Sequence, residues 1–376
     1  MADQPKPPTP EQMAIFALIL KKIGELGEDV EPVFPVEEGP RITAYRVRPV
    51  RATRIAKVEA MSVDLATALR VDVVLAKRMP GEGVVAITVP RSNPEHLRWQ
   101  TLLTKGYALL QRARVPLLFG LDWLGRPYVD DLTELPHLLI AGSTGGGKSV
   151  FQRSLIATVV QYMNSDAVQL VLSDTKGVEF GDFDKTPHLR WERATSPLRT
   201  IEYMDWLCKE TDVRLAQYAH AGVRNINEYN RLEIGKVPYI VLVIDELADV
   251  VYLPDGKRGA QYIGAEKLDY ITRKSRAAGI HVIAAVQRPS VDVVKGVIKN
   301  NFPARVSFKM GSAVDSRVIL DESGAEQLLE KGDMLYKNGS RILRLHSGDA
   351  SANDIRGVLE YAMLYKNQNH QLGGIQ

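Results

Sequence analysis

The sequence predicts an α/β protein: a mostly parallel sheet covered on both faces by helices, with a smaller α+β domain ahead of it. Three observations carry that prediction. From about Arg98 to Tyr336, short β-branched runs alternate with helix-length segments, the pattern of successive strand–helix–strand units. One of those runs passes directly into a glycine-rich loop, His137-Leu-Leu-Ile-Ala-Gly-Ser-Thr-Gly-Gly-Gly-Lys-Ser-Val150. Before the alternation begins, Pro90-Arg-Ser-Asn-Pro94 interrupts the chain, and the residues ahead of it follow a different, mixed pattern.

Taken in order, residues 1–10 are proline-rich and read as disordered. Thr9-Pro10-Glu11 has the form of a helix start, with proline in the first turn, and the helix should last to about Gly27. Ile42–Arg48 alternates like a strand, Ser62–Leu69 reads as a short helix, and Val84–Val89 as a further strand. Together these make a compact α+β domain over residues 11–95. Residues 96–366 form the larger domain, with strands expected at Leu138–Ala141, Val168–Leu172, Tyr239–Ile244, His281–Ala285 and Arg305–Phe308. The polar segment 367–376 reads as a loose tail.

Composition narrows the class. The 376 residues are 45% hydrophobic and 25% charged, enough for one large or two modest cores and unlike a disordered chain. A formal net charge of +3 permits an anionic partner without requiring one, so any nucleic-acid surface must be local. The single cysteine, Cys208, allows no intramolecular disulfide and fits a reducing, cytoplasmic compartment. Met13–Leu20 is the longest apolar stretch near the N-terminus, and it is too short to span a bilayer. We therefore expect no membrane segment.

The run Gly142, Ser143, Thr144, Gly145, Gly146, Gly147, Lys148, Ser149 satisfies G-x-x-x-x-G-K-[ST] at every fixed position. Glycines let backbone N–H groups turn inward around a triphosphate, Lys148 reaches its outer phosphates, and the Ser149 hydroxyl can hold Mg²⁺. The helix that should begin near Ser149 and Val150 points its positive end at the same anion. A chance glycine-rich turn would explain neither the strand before the loop nor the helix after it. ATP and Mg²⁺ are the ligands this pattern implies.

A second element belongs with the first. Tyr239-Ile-Val-Leu-Val-Ile-Asp-Glu246 is a fully apolar strand ending in two carboxylates. Asp245 would hold Mg²⁺, together with Ser149, through its water shell, and Glu246 would orient and deprotonate the attacking water. Gln287 ends a further strand, where an amide can sense the γ-phosphate. Asp174 and Lys176 also follow a strand, and either a solvated loop or a role at the site fits them.

These residues resemble the motor domain of the FtsK/SpoIIIE DNA translocases. The resemblance rests on residues 137–149, Tyr239–Asp249, Ser275–His281, Gln287–Val293, Asp315–Asp321 and Gly332–Tyr336, and more loosely on Pro40–Pro90, which is similar to the family's α domain. It implies a RecA-like P-loop ATPase domain beside that α domain, assembled as a homo-oligomeric, hexameric ring with double-stranded DNA through its pore. ATP would lie between subunits, each lending an arginine to its neighbour. Arg276 is the best match to that finger, with Arg273 next; capping a helix or pairing with a surface acid is the alternative for Arg276.

Basic residues after Gln287 come with no aromatic between Arg288 and Lys299, which favours tracking of a duplex backbone over stacking on single strands. Of these, Arg288, Lys295, Lys299 and Arg317 are the DNA-contact candidates; Arg288 and Lys299 match basic positions of the family's first pore loop and Arg317 one near the second. Ala313 stands where the family commonly carries a basic residue. The sequence shows no N-terminal membrane anchor, long linker or winged-helix γ domain, so the expectation is a bare motor. An FtsK-like ATPase of a conjugation or protein-secretion system, engaging single-stranded DNA or a protein, is the alternative.

Overall fold

The computed structural model describes residues 7–79, 81–143, 145–232, 234–251, 260–287, 289 and 296–372. Thr144, Arg288 and Lys295 among the expected site residues lie outside these, as do residues 1–6 of the N-terminal segment and 373–376 of the tail.

The small domain begins with α1 (Pro10–Glu25), which starts where its sequence says it should. Thr9 accepts the N–H of Gln12 on its hydroxyl, Gln12 returns a bond to the Thr9 N–H at 2.9 Å, and Pro10 occupies the first turn. Phe16, Ile19 and Ile23 form its buried stripe, and Phe16 meets Tyr45 edge-on with ring centroids 5.4 Å apart. The stripe packs on an antiparallel sheet of β1 (Val30–Glu38), β2 (Ile42–Pro49), β3 (Leu75–Met79) and β4 (Val84–Pro90), in the order β1-β2-β4-β3. Two short helices, α2 (Ile55–Ala60) and α3 (Ser62–Leu69), link β2 to β3. β1 escapes a sequence reading because Pro32 and Pro35 interrupt it; an edge strand tolerates them, and among the described residues β1 pairs only with β2.

The large domain starts with α4 (Trp99–Leu110), then the hairpin β5 (Pro116–Leu121) and β6 (Pro127–Asp131). There follow β7 (His137–Ala141), α5 (Lys148–Tyr162), β8 (Val168–Ser173), α6 (Pro197–His220), α7 (Ile226–Tyr229), β9 (Tyr239–Ile244), α8 (Leu247–Val251), α9 (Ala260–Lys274) and β10 (Ile280–Val286). The chain closes with α10 (Gly296–Asn301), β11 (Ala304–Ser307), α11 (Ala313–Leu320), β12 (Asp333–Asn338), β13 (Arg341–His346) and α12 (Ala352–Leu372).

Nine described strands form one sheet in the order β6-β5-β13-β12-β11-β7-β10-β9-β8. The run β11-β7-β10-β9-β8 is parallel throughout, and the strands beyond β11 continue it antiparallel. Alternation along each parallel strand fills two cores. Leu138 and Ile140 of β7 join Val241 and Val243 of β9 beneath α5, while Leu139 and Ala141 join Ile240, Leu242 and Ile244 on the side of α6 and α9. Each such side chain taken fully out of water is worth about 1.5–3 kcal/mol, which is why both faces need helices.

The expected loose tail is corrected in part: α12 continues to Leu372. Ile355, Val358, Leu359 and Ala362 are buried at helical spacing, and no proline follows to stop the helix. No helix among the described residues is long and apolar enough to cross a membrane.

Candidate active site

The glycine-rich loop springs from the carboxyl end of β7, a strand held on both sides by β10 and β11. Its backbone is fixed to both neighbours. Gly142 N–H donates to the Val286 carbonyl at 3.3 Å, and Ser143 gives both its N–H (3.2 Å) and its hydroxyl (2.8 Å) to the Lys309 carbonyl. Gly146 N–H then closes onto the Ser143 carbonyl at 3.0 Å. Two of the glycines are obligatory for separate reasons. Gly142 would place a Cβ 2.8 Å from Cβ of Phe308, and Gly147, at φ +110°, would place one 2.8 Å from the Gly332 nitrogen. Gly147 also caps α5 with no side chain taking the helix's first N–H groups, which leaves them for an anion. Val150 is exposed on the first turn of that helix.

Lys148 reaches across to β9. Its ammonium donates to the Asp245 carbonyl at 2.9 Å and to Asp245 Oδ1 at 3.0 Å, with both side chains buried. The Asp245 N–H is tied to the Ser173 carbonyl of β8 at 3.0 Å, so β8 helps to fix it. Asp245 Oδ2 is buried and accepts no hydrogen bond among the described residues. An orphaned carboxylate oxygen is costly unless something comes to meet it. It and the half-buried Ser149 hydroxyl at the start of α5 are hard oxygen donors of the kind that could hold Mg²⁺. No cluster of three or more His, Cys, Asp or Glu side chains gathers as a metal centre among the described residues.

Glu246 follows, 5% exposed. Its carboxylate accepts the Gln287 N–H at 3.2 Å and the Ala248 N–H at 3.4 Å. Burial pushes its pKa above the ordinary glutamate value, and the charges of Lys148 and Lys176 and the two N–H groups offset this only in part. A carboxylate poised upward and flanked by two cations suits proton abstraction. Gln287 is thus brought to the site through its backbone, at the end of β10.

The structure sorts the remaining candidates. Asp174 is buried and structural: it accepts N–H groups from Gly177, Val178, Glu179 and Phe180 and pairs with Arg193 at 3.0 Å. That turn places exposed Lys176 where its charge acts on Glu246. Arg276 is not brought to the loop. It precedes β10 and so lies at the opposite edge of the sheet, roughly 20 Å away by strand length, with its exposed guanidinium 3.5 Å from Glu134.

Lys299 is turned inward to Asp321, 3.0 Å away, a carboxyl also held by Arg305 and Lys337. Although burial opposes it, hydrogen bonds from those three cations keep the Asp321 carboxyl well below the usual range. Arg317 is exposed on α11, and among the described residues it enters no ion pair. Sequence reasoning missed Lys309 and Gly332 as supports of the loop. Both meet the loop through backbone atoms.

Residues 101–291 match the FtsK/SpoIIIE family and residues 16–91 the FtsK alpha domain. The DNA translocase FtsK of Rickettsia typhi (strain ATCC VR-144 / Wilmington) is 33% identical over 363 residues, covering 88% of this chain and 48% of that protein. The DNA translocase SftA of Bacillus subtilis (strain 168) is 34% identical over 359 residues, covering 93% of this chain and 37% of that protein. The chain thus spans half or less of the length of these two relatives. Among solved structures, the monomer form of the pCW3 conjugation coupling protein TcpA with ATPgS superposes with a TM-score of 0.66 at 24% identity, covering 93% of this chain and 99% of that one. The cytoplasmic domain of the Thermomonospora curvata type VII secretion ATPase EccC gives 0.60 at 23% identity, covering 71% and 34%. At these identities the likeness is one of fold.

Proposed function

This chain belongs to the FtsK/SpoIIIE family, and on that premise we propose that it is the ATP-hydrolysing motor of a double-stranded DNA translocase. The observation that carries the proposal is one convergence. The glycine loop, Lys148, Asp245, Glu246 and the Gln287 N–H meet at the carboxyl ends of β7, β9 and β10.

The chemistry follows from those positions. The loop N–H groups and the open end of α5 receive the phosphates of ATP, and Lys148 transfers from Asp245 to the outer phosphate oxygens. Ser149 and Asp245 would hold Mg²⁺, which would supply neutralisation of phosphate charge. Glu246 accepts the proton of the attacking water while its oxygen bonds to the γ-phosphorus and the bond to the ADP oxygen breaks. The Gln287 N–H holds Glu246 in place for that transfer and, through residue 287, links the site to the segment that follows β10.

Arg276 lies at the far end of its own sheet beside Glu134, so any role for it in hydrolysis would have to be played in a neighbouring subunit's site. Within a ring of such subunits, Arg317, which enters no ion pair among the described residues, is the cation we assign to the DNA backbone, and Arg288 and Lys295 remain contact candidates on their sequence alone.

Hydrolysis of ATP with and without linear duplex DNA, at low and moderate salt, tests the reading. Stimulation by duplex that weakens as salt rises is the expected result. Hydrolysis indifferent to DNA would leave the ATPase standing and move the cargo to a protein. No hydrolysis under any condition would remove the proposal.

A further inference from the structure

The turn Glu330–Gly332, just ahead of β12, is gripped from two sides. From the nucleotide side, the Gly332 N–H donates to the Gly146 carbonyl at 3.3 Å, in the middle of the glycine loop. Lys309, whose carbonyl holds Ser143 of that loop, sends its ammonium to within 3.6 Å of the Glu330 carboxylate. From the small domain, Arg41 donates one guanidinium nitrogen to the carbonyls of both Glu330 (2.7 Å) and Lys331 (2.5 Å). Lys331 stands at φ +61° and Gly332 at φ +94°, so a non-glycine residue is kept left-handed inside a turn defined by these contacts.

The rest of the contact between domains is mixed: Leu75 of β3 is buried in the large domain's core with Leu335, and polar ties flank it. Arg344 of β13 joins Thr88 of β4, and Glu322 pairs with Lys77 (3.2 Å) and Arg78 (3.6 Å) of β3. Beside these ties lies a cavity of about 350 Å³, lined from both domains by residues that include Lys77, Thr88, Trp123, Arg126 and Arg344. Of these ties, the one at Arg41 ends a single residue from a hydrogen bond to the glycine loop.

We propose that Arg41 is a positioning residue that couples the small domain to the nucleotide loop through the turn Glu330–Gly332. The proposal rests on the nucleotide site argued above. Filling of the loop alters the Gly146 carbonyl, the Gly332 N–H follows it, and Arg41 carries the displacement of the Glu330 and Lys331 carbonyls into the strand that begins at Ile42. Arg41 touches neither phosphate nor water; its effect lies in where the small domain sits when the loop is filled.

Hydrogen exchange on the full chain, with and without ATPγS and Mg²⁺, tests this in the parent, Arg41→Ala and Arg41→Lys. In the parent, nucleotide should slow exchange both at residues 142–152 and at residues 39–48. In Arg41→Ala the first response should persist, and the second should fall at least fivefold. Arg41→Lys, which keeps one donor, should recover about half of it. A merely structural role would raise exchange with and without nucleotide alike and leave the difference between the two states unchanged. An undiminished response at 39–48 in Arg41→Ala overturns the coupling, as does a parent response confined to 142–152. If Arg41→Ala does not fold, the graded comparison of parent, Arg41→Lys and Arg41→Gln decides in the same way. Absence of slowing at 142–152 in the parent removes the nucleotide site and the coupling together.

Discussion

The Lys148 ammonium lies 3.0 Å from Asp245 Oδ1 and 2.9 Å from the Asp245 carbonyl, so the cation proposed for phosphate is held by the carboxylate proposed for metal. Each keeps the other's buried charge satisfied until substrate separates them. Removing one partner of a buried pair costs about 3–5 kcal/mol, because the survivor stays buried and unpaired. Lys148→Ala should therefore lose ATP binding and also unfold at markedly lower denaturant, and Lys148→Ala with Asp245→Asn should recover much of the stability and none of the binding. Equal stability of parent and single variant in urea melts would show that the pair contributes nothing.

Glu246 gives a pH signature. Its carboxyl titrates above the ordinary glutamate value, chiefly because it is buried. As a base it works only when ionised, so the acid limb of kcat/KM should lie above the range of an exposed glutamate. The stability sign is opposite. A raised carboxyl pKa favours the protonated folded form, so its contribution is full below the unfolded value and is lost as pH rises through the folded one. Glu246→Gln should accordingly be at least as stable as the parent at neutral pH, bind ATP, and hydrolyse it at least about 100-fold more slowly. Unchanged turnover would remove Glu246 from the base role.

Two glycines of the loop should respond differently to alanine. At Gly145, φ is +84° and an added Cβ meets nothing within 4 Å, so only the backbone conformation resists, at about 1–2 kcal/mol. At Gly147 the Cβ also strikes the Gly332 nitrogen, a backbone atom that cannot rotate away, adding about 1–3 kcal/mol. Thermal melts of the two variants should rank them in that order, with nucleotide affinity following. The reverse ranking would show that the contact with Gly332 is easily relaxed.

Buried His137 and His281 make the fold acid-sensitive. Burial pulls their pKa values down to about 3 and about 4, from an ordinary 6.5. The unfolded chain binds protons that the folded one refuses, so stability is complete above about 6.5 and declines as pH falls toward 4. For His281 alone the loss approaches roughly 3 kcal/mol. Urea midpoints measured between pH 7 and pH 4.5 should fall, and should fall less in His281→Gln.

Arg317 and Lys299 should separate in DNA binding. Loss of one phosphate contact lowers the slope of log affinity against log salt by about 1. Arg317→Ala should show that change. Lys299→Ala should leave the slope alone, because its ammonium is spent on Asp321. Equal slopes for Arg317→Ala and the parent would take Arg317 out of the interface.

What the sequence made legible is what backbone physics forces on residue type. A loop packed against Phe308 and Gly332 needs glycine at Gly142 and Gly147, and a buried parallel strand needs the unbroken apolar run Tyr239–Ile244, so both stood out. β1 did not, since its prolines are allowed only by an edge position that no local pattern announces. Nor did the antiparallel strands β5, β6, β12 and β13, whose partners are set by pairing with distant segments. Charges were visible and their commitments were not: Lys299 looked free until Asp321 was found against it, and Asp174 looked catalytic or idle until four N–H groups were found pointing at it.

The order of strands also governs when the sheet can be finished. β7 is placed between β10 and β11, and β5 meets β13 only where Leu121 pairs with His346, near the other end of the large domain. Closing loops of that length costs entropy before any pairing repays it, which places this chain among slow folders. During synthesis the β5–β6 hairpin must wait, its edge unpaired, until β13 has emerged. The last of the described strands is the one that joins the first hairpin of the large domain to the rest of its sheet.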